Sequence, residues 1–154
     1  MNAQKLLFGT LAATILIFIL DWVFYGMLMM DSFTRVEGYH REMPDMLWLI
    51  IGLVVFSAVF TYMYGKGADN SGTRTQQGMR YGVLIGLLVG IGLNLIWYSL
   101  QMAAPLTEFL IDGVYTIVKL AIAGIVVAHV TGIPSALRGK ASGGGGDVGT
   151  DGED

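Results

Sequence analysis

The chain has 154 residues, 54% of them hydrophobic and 14% charged, with a formal net charge of −3 and no cysteine. Soluble domains carry roughly a quarter charged residues, so this composition, with a mean hydropathy of +0.62, excludes an ordinary soluble domain and predicts one all-α domain in a membrane. The missing cysteines exclude disulfides, thiolate catalysis and cysteine metal sites, and no basic face exists for nucleic acid.

The first apolar span runs from Leu6 to Met30 and is interrupted only by Asp21. Lys5 and the uncharged run behind it imitate a secretion signal. No small-x-small cleavage site follows, and Trp22 to Met30 prolongs the apolar stretch, so an uncleaved first helix is expected. Asp31 to Asp45 is a polar connection containing carboxylates, two arginines and His40. After Pro44 comes the second span, Met46 to Tyr64, without a charge. Gly65 to Gln77 is glycine-rich and polar and is expected to be a loop. The third span, Tyr81 to Ala103, ends before Pro105. The fourth runs from Glu108 to Val130 and is stopped by Gly132 and Pro134. From Gly139 the sequence GKASGGGGDVGTDGED is glycine-rich and acidic and is expected to be disordered. The domain organisation is therefore a four-transmembrane-helix bundle over residues 1–138 and a tail over 139–154.

In the third span, Gly78, Gly82, Gly86 and Gly90 recur every four residues, and the same step leads to Asn94 and Tyr98. Glycine at this spacing strips side chains from one stripe of a helix. In lipid, where apolar residues gain little by leaving the solvent, close backbone packing supplies much of the association energy. These four glycines are therefore expected to be helix-packing residues.

Four spans place both chain ends on one side. That side holds Lys5, Lys66, Arg74, Arg80, Arg138 and Lys140, and the other holds Arg35 and Arg41. The bias predicts cytoplasmic termini in a plasma (inner) membrane. Trp22, Trp48 and Trp97 fall toward the outer ends of their spans, and Tyr62, Tyr64 and Tyr81 toward the inner ends.

LDWVFYGMLM (Leu20 to Met29) also aligns with LNLIWYSLQM (Leu93 to Met102), matching Asp21 to Asn94 and Tyr25 to Tyr98. Such a pattern suggests two repeated helix pairs, an arrangement found in transporters, and chance likeness between aromatic-rich helices is the rival explanation. LDWVFYG in span one, YGVLIGLLVG in span three and NLIWYS at its end resemble small bacterial four-helix integral membrane proteins grouped as domains of unknown function. Trp22, Tyr25, Gly26, Asn94, Trp97 and Tyr98 carry the likeness, which covers Leu6 to Val130. It implies the four-helix fold and, because those families have no assigned activity, no chemistry.

Ionisable groups inside or near the spans are Asp21, Glu108, Asp112, Lys119 and His129. A charge at the bilayer centre costs about 2.5–3.5 kcal/mol on insertion scales, so each needs a partner or a wet cavity. Asp112, Thr116 and Lys119 share one helical face by i, i+4, i+7 spacing, as do Asn94, Tyr98 and Gln101. The expected intramembrane polar cluster is Asp21, Asn94, Tyr98, Asp112 and Lys119. It would be either a relay for protons or cations or a structural ion pair between Asp21 and Lys119 with Asn94 bonded across helices. His129 reads as an interfacial histidine, since no second histidine lies in a span. His40, Glu42 and Asp45 read as a solvated loop. GKGADN (Gly65 to Asn70) lacks the second half of a phosphate loop, and no serine or threonine has a spaced histidine to activate it. No catalytic residue, cofactor or metal is expected.

Two functions fit. One is a non-enzymatic helix-packing or accessory subunit of a membrane assembly, motivated by the glycine ladder, the short loops and the lack of catalytic motifs. The alternative is a small ion- or proton-coupled transporter acting as a homodimer, with a polar pocket around Asp21, Asn94 and Lys119. The partners implied are the lipid bilayer and a second copy or another membrane protein.

Overall fold

A computed structural model describes residues 2–29, 45–67, 72–100 and 105–132. Four helices in it are long and apolar enough to cross a membrane: α1 (Ala3–Met27), α2 (Met46–Gly67), α3 (Arg74–Leu100) and α4 (Leu106–Thr131). The chain is an all-α four-helix bundle, with no strand among the described residues. The connection with His40 and Glu42, Gln101 and the acidic tail lie outside the described residues.

The helices are built inside out relative to a soluble bundle. Leu7, Phe8, Leu11, Ile15 and Ile19 of α1 are exposed, while Thr10, Ala13 and Ile17 point inward. The same contrast sets exposed Val54, Val55 and Val59 of α2 against buried Ser57 and Thr61. Small and hydroxyl side chains inside and bulky apolar ones outside suit a solvent as apolar as the protein itself. Trp22, Trp48 and Trp97 are all exposed.

α4 occupies the centre, packing on α3, α1 and, more lightly, α2, while α1 also packs on α2. α3 reaches α2 through Tyr81, whose hydroxyl donates to the Phe60 carbonyl at 2.7 Å and whose ring meets Phe60 and Tyr64. The core comprises Ala13, Ile17, Phe60, Tyr81, Leu120, Ala123 and Val127. The helices alternate in direction. One end of the bundle, here the near end, gathers Lys5, Gly132 and Arg74. The far end brings together Tyr25, Asn94 and Asp112.

The glycine ladder is the α3–α4 seam. A β-carbon on Gly78 or Gly82 would run into the α4 backbone at Gly124 or Leu120. One on Gly86 would lie 2.6 Å from the Ile117 Cα, and one on Gly90 2.6 Å from the Gly113 carbonyl oxygen. A stripe repeating every four residues drifts about 40° per step around an α-helix. The chain corrects the drift: α3 widens into π-helix over Leu87–Leu93, whose i→i+5 bonds turn less per residue. Gly90 and Asn94 thereby stay against α4.

Two boundaries differ from the sequence expectation. α2 continues to Gly67, and α3 starts at Arg74, ahead of its apolar run, because Thr73 and Gln76 form a reciprocal capping box. Most of the expected Gly65–Gln77 loop is therefore helical. Hydropathy marks where a helix enters lipid, whereas capping marks where it begins.

Candidate functional site: a polar network between three helices

Asp21 lies on α1 and Lys119 on α4, and their side chains meet. Lys119 Nζ donates to Asp21 Oδ1 at 2.7 Å. The same oxygen accepts the Tyr115 hydroxyl at 3.0 Å. Lys119 is only 9% exposed, and its ammonium lies 4.9 Å from the Tyr115 ring centroid and 6.0 Å from that of Tyr25. Ring faces carry negative charge, so the cation is partnered on several sides.

Asp112 collects the second half of the network. Its Oδ2 accepts Asn94 Nδ2 at 2.6 Å, and its Oδ1 accepts the Tyr25 hydroxyl. Asn94 also lies 3.4 Å from the Phe109 carbonyl, which fixes its amide against α4. The two halves share aromatic packing. Phe24 stacks on Tyr115 with centroids 3.6 Å apart, and Tyr25 stands edge-on to both rings. The last turn of α1 is π-helical over Phe24–Leu28, so Tyr25 sits where the helix loosens, a position common at functional sites.

Four of the five residues expected in the cluster are thus hydrogen-bonded in two pairs, Asp21 with Lys119 and Asn94 with Asp112. Tyr98 stands apart: it is 39% exposed and packs edge-on against Phe109. The period-four step from Asn94 carries it around the helix once α3 returns to α-geometry over Asn94–Leu100. Thr116 likewise turns toward α3, its Cβ 3.0 Å from where a β-carbon on Gly90 would stand. The tyrosines that do join are Tyr25 and Tyr115. Both were detectable by spacing, since Tyr25 follows Asp21 by four residues and Tyr115 precedes Lys119 by four.

No protein-family model, curated protein or solved structure matches the chain. The chemistry must therefore be read from the residues themselves.

Glu108 extends the acidic side. It lies one turn before Asp112, is 7% exposed, and its Oε2 has no hydrogen-bond partner. Its place in the first turn of α4 sets it in the favourable field of the helix N-terminus. His129 is exposed, with Nδ1 2.9 Å from the Ile125 carbonyl oxygen. Among the described residues no group of three or more histidine or carboxylate side chains is placed to hold a metal ion. In the network itself, both Asp112 oxygens and Asp21 Oδ1 already accept N–H or O–H donors. What the arrangement offers is two carboxylates, each accepting two hydrogens from donors on neighbouring helices.

Proposed function

We propose that this protein is a small non-enzymatic transporter that moves protons through its bundle, with Asp21, Asp112 and Lys119 as the groups that exchange them. The observation carrying this reading is the Asp21–Lys119 pair joined by ring packing to a second carboxylate, Asp112. Two formal negative charges and one positive charge inside apolar helices are expensive, and one ion pair suffices to lock helix register. The additional carboxylate, with Glu108 a turn beyond it, exceeds what packing requires. Protons are favoured over metal cations because both Asp112 oxygens and Asp21 Oδ1 already accept donors rather than being gathered around a space. Tyr25, Tyr115 and Asn94 orient the carboxylates, and the loosened end of α1 lets Tyr25 move between them.

The alternative of a helix-packing accessory subunit draws its packing surface from the glycine ladder. That face is used inside the bundle, between α3 and α4, which leaves it no surface for a partner. Orientation in the inner membrane with cytoplasmic termini is part of the proposal and is supported by Lys5, Lys66, Arg74 and Arg80 at the near end. Since four helices enclose little volume, the working unit is a homodimer.

Reconstitution into liposomes containing a lumenal pH dye tests the reading. An imposed potassium diffusion potential should drive proton entry well above that of empty liposomes, and Asp21→Asn or Asp112→Asn should lower it about tenfold or more. Flux equal to that of protein-free vesicles would remove the proposal.

A further inference from the structure

Apart from Lys119, which pairs with Asp21, charge is segregated along the bundle. Among the described residues, the carboxylates Asp21, Asp45, Glu108 and Asp112 lie in its far half, whereas Lys5, Lys66, Arg74 and Arg80 lie toward the near end. Two of these cations converge on one residue. Lys5 Nζ donates to the Gly132 carbonyl at 3.3 Å. The Arg74 guanidinium lies against the same glycine, 2.7 Å from where its β-carbon would stand. One cation comes from the start of α1 and the other from the start of α3, and the end of α4 is held between them.

The helix terminus satisfies only part of this charge. The C-terminal end of α4 is equivalent to roughly half a negative charge, set against two full positive ones. About 1.5 positive charges remain, and among the described residues no carboxylate lies at this end. An aromatic ring and exposed apolar side chains surround this end. Lys66 lies 5.9 Å from the Tyr62 ring centroid, and Leu7, Leu11, Met79 and Leu84 expose apolar side chains on α1 and α3.

We infer that Lys5 and Arg74, on either side of Gly132, bind the phosphate of an anionic phospholipid headgroup. Basic side chains between membrane helices are suited to such headgroups. The cations sit where apolar helices end, at the depth of lipid phosphates, and the exposed leucines give the acyl chains a surface. The site is remote from the polar network and independent of the proton-transfer proposal.

The full-length protein in mild detergent is titrated with phosphatidylglycerol, phosphatidylcholine or soluble glycerol phosphate. Binding is read by thermal shift and by lipid adducts in native mass spectrometry. Phosphatidylglycerol should bind saturably and at least about tenfold more tightly than phosphatidylcholine, and glycerol phosphate should give no shift. Replacing both cations, Lys5→Gln with Arg74→Gln, should weaken phosphatidylglycerol about thirtyfold, the worth of two basic side chains at an anionic surface. Lys5→Arg alone should retain it. If the double variant does not fold, salt titration of the unaltered protein decides: affinity must fall as ionic strength rises. Equal affinity for the two lipids, or an equal response to glycerol phosphate, would overturn the inference. So would phosphatidylglycerol binding that appears only after residues 139–154 are removed, since the acidic tail would then be the occupant.

Discussion

Lys119 and Asp21, 98 residues apart in the chain, meet at 2.7 Å across the α1–α4 interface. The pair closes the bundle electrostatically, because each charge makes the other tolerable in an apolar setting. Removing either partner leaves the other uncompensated. Asp21→Asn and Lys119→Met are each expected to destabilise the protein by about 3 kcal/mol, as for other broken buried pairs. The double variant should recover most of that loss while remaining inactive in proton transfer. Thermal or denaturant unfolding in detergent gives the double-mutant cycle, and strictly additive losses would mean that the two residues do not interact.

The corrected membership of the network can be checked with single hydroxyls. Tyr25→Phe removes the donor to Asp112 and should cost about 0.6–1.7 kcal/mol, the range of polar contacts between membrane helices. It should also slow proton transfer. Tyr98→Phe, whose ring packs on Phe109, should leave both stability and flux unchanged. An effect of Tyr98→Phe equal to that of Tyr25→Phe would return Tyr98 to the site.

The glycine seam is tested by comparing positions a few residues apart. At Gly82 an added methyl meets the Leu120 carbonyl, whereas at Gly92 its nearest neighbour is the Leu87 carbonyl oxygen at 3.8 Å. Gly82→Ala is expected to cost about 1–3 kcal/mol through overpacking. Gly92→Ala should be neutral or slightly stabilising, since alanine has the better helix propensity. Gly86→Leu and Gly90→Leu should likewise disrupt packing more than Gly92→Leu. Equal melting temperatures for the Gly82 and Gly92 variants would argue against a packed seam.

Orientation is accessible because the chain has no cysteine of its own. With single cysteines at Ser71 and Thr34, an impermeant thiol reagent on intact cells should label the Thr34 position and spare Ser71. The reverse pattern would invert the assignment of cytoplasmic termini.

Composition and hydropathy were enough to establish four apolar helices, because a spanning segment must satisfy its backbone internally and be apolar along its whole length. The matched helical heights of Asp21 and Lys119, which let them meet, and the period-four glycines were equally visible in the sequence, since both follow from local helical geometry. Which helices neighbour one another was not legible, and that decided the site. α4 lies between α1 and α3, so Lys119 faces Asp21 while Asp112 meets both Tyr25 and Asn94. The π-helical stretch over Leu87–Leu93 was also beyond the sequence. A regular α-helix would have carried Gly90 and Asn94 away from α4. Only packing of the two backbones, held close by glycine, makes the widened turn favourable. The same return to α-geometry explains why Tyr98, in step with Asn94 by spacing, ends outside the network.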